Sequence, residues 1–204
     1  MQDACVRVKI KTNYTRINLF IGGNVIHILQ NLSASRFIWF CLLILGIVLE
    51  CCGLYFQYSL RLPPCVNCVY ERALYLTFIA AGFIGFLAPN FFLTRFLAII
   101  TFFSGSIGGI YVACHHLKDY YSDDLFGASC SLKANFPDFL PLDSYFPWMF
   151  TAQDGCHPLD WAFLGLSMPQ WIFASFACGA FVAFLFLFAQ FFKHKRRDYI
   201  DLYK

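Results

Sequence analysis

Four long apolar runs constrain the fold of this chain more than any other feature of its sequence. They span about residues 37–58, 69–88, 96–113 and 169–190. A helix needs about 20 predominantly apolar residues to cross the hydrocarbon core of a bilayer. With 59% hydrophobic and only 13% charged residues, the chain also has too little polar surface for a soluble globule. The sequence therefore predicts an all-α membrane protein, a four-helix transmembrane bundle embedded in a lipid bilayer.

The distribution of lysine and arginine predicts the orientation of this bundle. Four crossings place both termini on the same side, and cytoplasmic segments of membrane proteins are rich in Lys and Arg. The basic residues concentrate in the two terminal segments and in the turn between the second and third runs: Arg7, Lys9, Lys11, Arg16, Arg36, Arg95, Lys193, Lys195, Arg196, Arg197 and Lys204. Both termini are therefore predicted to be cytoplasmic. In a multi-pass protein of the bacterial inner membrane, residues 59–68 and 114–168 would then be periplasmic loops.

This topology divides the chain into three parts. Residues 1–36 are predicted to be a cytoplasmic N-terminal extension, frayed or lying on the surface, and residues 37–192 the membrane domain. Residues 193–204 form a basic cytoplasmic tail. The formal charge of +3 is explained by these flanking clusters, so no nucleic-acid partner is expected.

Two cysteines stand just before the second apolar run. Cys65 and Cys68 follow the pair Pro63-Pro64, which cannot continue a helix. A thiolate at a helix N-terminus is favoured by the helix dipole, and Arg72, one turn further on, adds a positive charge near Cys68. The same spacing also supplies half of a zinc site, but the sequence has no second pair of this kind. Redox chemistry is the favoured interpretation, and no resident metal is expected.

The long outer segment places aromatic residues among prolines at 136–142 and 145–150. Such a segment suits the membrane interface, although a buried cap over the bundle would use the same residue types. Cys130 and Cys156 bracket it. They could form a structural disulfide, worth about 3 to 4 kcal/mol of loop-closure entropy, or an exchangeable pair; the nearby outward CxxC favours exchange.

Three polar positions at or near the ends of the runs are further candidates. Glu50 interrupts the first run, where a carboxyl is costly. It could belong to a proton route, support the catalytic loop, or bond to a neighbouring helix as a neutral acid. His115 and His116 follow the third run and form only a poorly spaced metal set with Cys114. One of them could hydrogen-bond the carbonyl oxygen of a flat redox acceptor, or simply face water.

Three motifs together resemble those of the DsbB family, the bacterial inner-membrane thiol oxidases that reoxidise the periplasmic oxidant DsbA with quinone. The first is Pro64-Cys65-x-x-Cys68-x-Tyr70-Glu71-Arg72, with Glu50 and Phe56-Gln57 upstream in matching positions. The others are Phe136-Pro137-x-x-Leu140-Pro141-Leu142-Asp143 and Asp160-Trp161-x-Phe163-Leu164-Gly165-Leu166-x-Met168-Pro169-Gln170-Trp171. The resemblance covers most of residues 37–192. The N-terminal extension, Asn67 and Cys114 depart from the family pattern.

The resemblance implies a catalytic role for each of four cysteines. Cys130 would form the mixed disulfide with a periplasmic DsbA-like protein of thioredoxin fold, with Cys156 as its resolving partner. Cys65 and Cys68 would take up the electrons, and Cys68 would pass them to ubiquinone or menaquinone from the membrane quinone pool.

The resemblance also implies a quinone site beside Cys68. Arg72 would lie near the quinone ring, His116 on the quinone side, and Glu71 belongs to the same motif. Two other functions remain open: a DsbB paralogue dedicated to a specialised DsbA-like partner, and a four-helix membrane scaffold without electron transfer. A metal carrier that uses Cys65, Cys68 and the histidines is the least favoured interpretation.

Overall fold

The computed structural model describes residues 25–121, 134–136, 141–152 and 162–192. Seven helices and one two-stranded hairpin lie within these residues. The helices are α1 (25–33), α2 (Arg36–Tyr58), α3 (Val66–Leu87), α4 (Phe92–Tyr120), α5 (Leu142–Tyr145), α6 (Pro147–Phe150) and α7 (Met168–Gln190). The strands β1 (Ala162–Phe163) and β2 (Leu166–Ser167) pair antiparallel.

Four of these helices, α2, α3, α4 and α7, are long and apolar enough to cross a membrane. Because α3 packs against α2 and α4, and α4 packs against α7, the order across the bundle is α2, α3, α4, α7. This confirms the predicted four-helix bundle. The end at which α3 begins is called the dithiol end here, since Cys65 and Cys68 lie there.

The bundle core is built from aromatic side chains and close helix contacts. Tyr75 of α3 stacks on Phe176 of α7 with ring centroids 4.4 Å apart. A Cβ atom at Gly105 would collide with Thr77, so the absence of a side chain allows α4 to approach α3 closely. Small residues at such positions let membrane helices associate through direct packing.

Two of the helix boundaries that differ from the sequence prediction bear on the site. Helix α3 begins at Val66, three residues before the apolar run, because Cys65 acts as its N-cap: the Cys65 Sγ accepts a hydrogen bond from the Cys68 backbone N–H at 3.3 Å. Helix α4 continues to Tyr120, whereas the apolar run ends at Ala113. Hydropathy marks the length that can lie in lipid, and a helix can continue past it. Residues 114–120 are therefore helical and not part of a loop.

The segment 141–152 lies against the dithiol end of α3. Phe150 is 1% exposed and packs in a cluster with Val69, whereas Trp148 is 53% exposed. One face of the segment is thus a buried cap. The other presents aromatic rings of the kind found at membrane interfaces. The buried cap and the interfacial segment that the sequence allowed thus each describe one face.

The opposite end of the bundle is closed by α1. The Gln30 side-chain amide donates to the backbone carbonyls of Ala189 and Phe192, each at 2.9 Å. The last carbonyls of a helix have no partner within the helix, so Gln30 satisfies groups that the end of α7 leaves open. Part of the predicted N-terminal extension therefore belongs to the bundle, while residues 1–24 lie outside the described residues.

Candidate functional site

The site begins with two thiols at the N-terminus of α3. The Sγ atoms of Cys65 and Cys68 lie 2.8 Å apart. Cys65 is 4% exposed, while Cys68 is partly exposed. The prolines at 63 and 64 end the preceding segment and the first helical turn then brings the two sulfurs together. This geometry allows a disulfide to form and break without movement of the helices.

A histidine and a glutamate lie directly beside the thiols. His116, on α4, places its Nε2 atom 3.8 Å from the Cys65 Sγ. Its Nδ1 atom lies 2.9 Å from the Glu71 Oε1 atom on α3. Both side chains are buried, with 4% exposure for His116 and 2% for Glu71. When Nδ1–H donates to the carboxylate, Nε2 is left as an acceptor facing Cys65, so the pair can take up a thiol proton.

Arg72 connects three elements from its place one turn after Cys68. Its guanidinium donates to the Gln57 Oε1 atom at 2.6 Å and to the Gly53 carbonyl at 2.6 Å, both on α2. A third bond reaches the Met149 carbonyl of α6 at 3.2 Å. Arg72 is 8% exposed. A buried cation is thus held in a fixed position by neutral acceptors.

Cys68 and Arg72 lie on the wall of one cavity of about 260 Å³ between α2, α3 and α7. Glu71 also contributes to this wall, and most of the remaining lining is apolar: Leu49, Phe56, Leu62, Pro63, Pro64, Met168, Trp171 and Ile172. Ligand sites are typically apolar clefts with a few placed polar groups. The size suits one small flat ring, with a thiol and a cation at its edge.

A second apolar cavity of about 370 Å³ lies further along the bundle between α2 and α7. Leu49 and Ser175 line both cavities. A long apolar substituent on a ring in the first cavity could therefore extend along the groove between these helices.

The structure thus brings together five of the residues predicted from sequence, namely Cys65, Cys68, Glu71, Arg72 and His116. His116 contacts the dithiol through Cys65 and does not line the first cavity. Cys130 and Cys156 lie outside the described residues. Their predicted roles are therefore stated from sequence alone.

Other candidates lie apart from this group. His115 is exposed, and its ring centroid lies 4.7 Å from that of Tyr111. Cys114 is also exposed on α4. Glu50 is 5% exposed, and neither of its carboxyl oxygens has a hydrogen-bond partner among the described residues. The possibility that Glu50 bonds to a neighbouring helix finds no support in that part of the chain.

Sequence reasoning assigned no role to two residues that hold the site in place. Gln57 accepts from Arg72 and donates to the Trp148 carbonyl at 3.3 Å, and so links α2 to the segment 141–152. Asn67 donates to the Asp119 carboxylate at 2.9 Å and fixes the CxxC turn to α4. A polar residue near the end of an apolar helix was the available signal for Gln57. Asp119 gave no such signal, because residues 114–120 were predicted to be a loop.

Comparison with known proteins adds an independent finding. A sequence model of the family DsbB, described as disulfide bond formation protein DsbB, matches residues 35–186. The chain is 39% identical over 169 residues to "Disulfide bond formation protein B" of Histophilus somni, covering 83% of this chain and 94% of that protein. It is 38% identical over 170 residues to the protein of the same name from Vibrio parahaemolyticus, covering 83% and 95%. The corresponding Yersinia enterocolitica protein is 38% identical over 174 residues, covering 85% and 98%.

Proposed function

Because the chain belongs to the DsbB family of disulfide bond formation proteins, we propose that it is a quinone-dependent protein-dithiol oxidase of the bacterial inner membrane. The family supports a disulfide-forming oxidoreductase in a multi-pass membrane protein. The proposal adds three points: the partner is a periplasmic DsbA-type protein, the acceptor is ubiquinone or menaquinone, and both termini are cytoplasmic. One observation supports it most strongly. Cys68 and Arg72 line the same apolar cavity at one end of the bundle.

The relay begins at the cysteines of the long loop. A thiolate of the partner attacks the Cys130–Cys156 disulfide at Cys130, which forms the mixed disulfide and releases the Cys156 thiol. The second thiolate of the partner then displaces Cys130, so the partner leaves with the disulfide and the loop keeps the dithiol. The electron pair then reduces the Cys65–Cys68 disulfide. Each step exchanges one disulfide for one dithiol, so sulfur–sulfur bonds and electrons balance throughout.

Residues of α3 and α4 then prepare the second dithiol for reoxidation. His116, oriented by Glu71, accepts the Cys65 proton across the 3.8 Å contact with Sγ. Cys68 faces the cavity as the electron-donating sulfur, and the fixed Arg72 guanidinium stabilises negative charge there. When bound, a quinone supplies an acceptor for two electrons and two protons, which matches what the dithiol releases.

The direction of the relay follows from reduction potentials. A DsbA-type partner at about −120 mV is already a strong oxidant, so a glutathione pool at roughly −200 mV cannot reoxidise it. Each 30 mV of difference corresponds to about 1.4 kcal/mol for two electrons. A membrane quinone is sufficiently oxidising to drive the reaction, and this explains why the dithiol would be placed beside an apolar cavity.

A reconstituted reaction tests this function. The purified protein in detergent is mixed with a reduced DsbA-type protein and a short-chain ubiquinone, and partner thiols and quinone absorbance are followed together. We expect one quinone to be consumed for each partner dithiol oxidised. Partner oxidation without quinone consumption would contradict the proposal.

A trapping experiment identifies the partner. Replacing Cys156→Ala removes the loop thiol that would resolve a mixed disulfide at Cys130. A Cys130 thiolate that attacks the disulfide of an oxidised partner should therefore remain covalently bound to that partner. Mass spectrometry of the complex is expected to find a periplasmic thioredoxin-fold protein joined through Cys130. Recovery of only unrelated thiol proteins would exclude a DsbA-type partner, and rates against a panel of DsbA-type proteins would distinguish a general from a dedicated enzyme.

A further inference from the structure

Three side chains that bind soft metal ions meet at the dithiol. The Sγ atoms of Cys65 and Cys68 and a ring nitrogen of His116 lie within 4.8 Å of one another. The two thiols come from the start of α3 and the imidazole from α4, so the cluster exists only because these helices pack together. Zinc sites with three protein ligands and one open position are a recognised class, and two cysteines with one histidine form one of its ligand sets.

The distances agree with such a site after a small adjustment. Zinc–sulfur bonds of about 2.3 Å and zinc–nitrogen bonds of about 2.0 to 2.1 Å place tetrahedral ligands roughly 3.5 to 3.8 Å apart. The contact between the Cys65 Sγ and the His116 Nε2 is 3.8 Å. The two Sγ atoms, 2.8 Å apart, would have to separate by about 1 Å. The change falls on the position of the Cys68 sulfur, because the Cys65–His116 distance between α3 and α4 is already suitable.

The histidine is oriented as metal-binding histidines usually are. Its Nδ1 atom is 2.9 Å from the Glu71 Oε1 atom, which leaves Nε2 directed at Cys65. A carboxylate on the other ring nitrogen fixes the tautomer and strengthens the imidazole as a ligand. The second carboxylate oxygen of Glu71 has no hydrogen-bond partner among the described residues. A cation at the thiols would therefore also be stabilised by this buried acid.

An ion could reach the cluster from the cavity. Cys65 and His116 are buried, but Cys68 is partly exposed and lines the 260 Å³ cavity. Thiolate ligands select soft or borderline ions such as Zn²⁺ over Mg²⁺ or Ca²⁺. A water molecule would complete the coordination.

We propose that the reduced Cys65–Cys68 pair and His116 bind one zinc ion, and that the bound ion arrests the dithiol. Binding releases the thiol protons and leaves two thiolates on the metal, while no electrons are transferred. Sulfurs held on zinc cannot form a disulfide, so zinc binding and oxidation exclude each other. The binding rests on geometry alone, whereas the arrest rests on the proposed function.

Cobalt provides a spectroscopic test of the binding. Co²⁺ is added to the reduced, full-length protein in detergent, and the sulfur-to-cobalt charge-transfer absorption is titrated. We expect one Co²⁺ per chain, displaced by Zn²⁺, with no such absorption from the pair after Cys65 and Cys68 have been oxidised to a disulfide. Since the chain has 10 cysteines, the signal assigned to this site is the part that is lost in Cys68→Ser.

Matched variants separate this site from other thiols. Replacing Glu71→Gln, which removes the carboxylate that orients the ligand, should weaken Co²⁺ binding by roughly 10- to 100-fold. His116→Gln removes a ligand itself and should weaken binding by more. The neighbouring His115→Gln, exposed on the same helix, should bind as the unmodified protein does. Binding that is unchanged in His116→Gln, or that survives in the double variant Cys65→Ser/Cys68→Ser, would overturn the site.

A single-turnover experiment tests the arrest. Protein with a reduced dithiol is mixed with a short-chain quinone, with and without Zn²⁺, in the absence of any partner. Zinc should abolish formation of the disulfide and EDTA should restore it. Zinc that binds without slowing the reaction would refute the arrest. If the metal-free protein reduces no quinone, the proposed function fails, and the cobalt titration still decides the site.

Discussion

At the scale of single residues, Arg72 is the side chain on which the proposed quinone site depends most. Its three hydrogen bonds reach α2 and α6, so the cation is held in place before any ligand arrives. A preorganised charge stabilises a transition state without the cost of reorienting at the moment of reaction. Loss of the Arg72 charge should therefore slow only the reduction of quinone at the cavity.

Replacing Arg72→Ala should slow quinone reduction on the order of 100-fold, the typical effect of losing one fixed electrostatic donor. Thiol exchange with the partner should change by less than about twofold, because the proposed relay places that exchange at Cys130 and Cys156. Stopped-flow absorbance measures the two steps separately. Lys118→Ala, which removes an exposed cation from α4, is the control. Equal losses in both steps would rule out this role.

The residues of the site could be predicted from sequence to different extents. Cys65, Cys68 and Arg72 follow one another within the N-cap and first two turns of one helix, so their proximity follows from local spacing. The contact of His116 with Cys65 joins two helices through the register of their packing. The residue pattern placed this histidine only just after the third apolar run, and the resemblance placed it on the quinone side. Neither gave its contact with Cys65, since register depends on which small residues meet across the interface.

At the scale of the helices, the close approach of α3 and α4 determines whether the site assembles. Gly105 faces Thr77, and the same interface positions His116 beside Cys65. Sequence predicted from Pro63-Pro64 that the helix before the CxxC would end there. It did not predict that α4 would continue to Tyr120, because polar residues after an apolar run are compatible with either a loop or a helix that leaves the membrane.

Replacing Gly105→Ala should destabilise the folded protein by about 1 to 3 kcal/mol, the usual cost of overpacking a well-packed core. The added Cβ atom would overlap the Thr77 side chain. Thermal unfolding in detergent, followed by circular dichroism, measures the loss. Gly108→Ala is the matched control, since its nearest neighbour is the end of the flexible Leu74 side chain at 3.1 Å.

A compensating change identifies the cause of that loss. In the double variant Gly105→Ala/Thr77→Ala, removal of the Thr77 side chain should recover part of the stability. If the double variant lost as much free energy of unfolding as the two single variants together, or more, steric overlap with Thr77 would not be the reason.

At the scale of the whole molecule, α1 connects parts of the bundle that the long helices leave apart. Helices α2 and α7 flank both cavities, while the main packing runs from α2 through α3 and α4 to α7. Gln30 of α1 caps the end of α7, and the Ser33 carbonyl accepts from the Trp39 indole of α2 at 2.8 Å. Helix α1 therefore links α2 to α7 at the end of their groove that lies opposite the dithiol.

Replacing Gln30→Ala removes two hydrogen bonds to the end of α7 and should cost about 1 to 3 kcal/mol. Because α1 would no longer hold α7 in place beside the groove, the KM for a quinone with a long isoprenoid tail should rise more than that for a short-chain quinone. Asn31→Ala is the control, since Asn31 is exposed and bonds to His27 of the same helix. An equal change for both quinones would show that α1 does not affect the groove.

Sequence predicted the number of spanning helices but not this closure. Four apolar runs are visible directly, whereas residues 25–33 mix apolar and polar positions and are too short to span a membrane. Their place depends on carbonyl groups at the end of α7, about 160 residues away, as the separation of 159 between Gln30 and Ala189 shows. Such long-range pairing leaves no local pattern.

The central proposal is that Cys68 passes the electrons to a quinone. A single turnover without the loop cysteines tests it most directly. In the variant Cys130→Ser/Cys156→Ser, the remaining dithiol is reduced and mixed with a short-chain quinone in detergent. We expect one quinol per chain, with mass spectrometry locating the new disulfide between Cys65 and Cys68. Additional replacement of Cys68→Ser should abolish quinol formation. Quinol formed at an undiminished rate without Cys68, or no quinol formed with both thiols present, would contradict the proposed route.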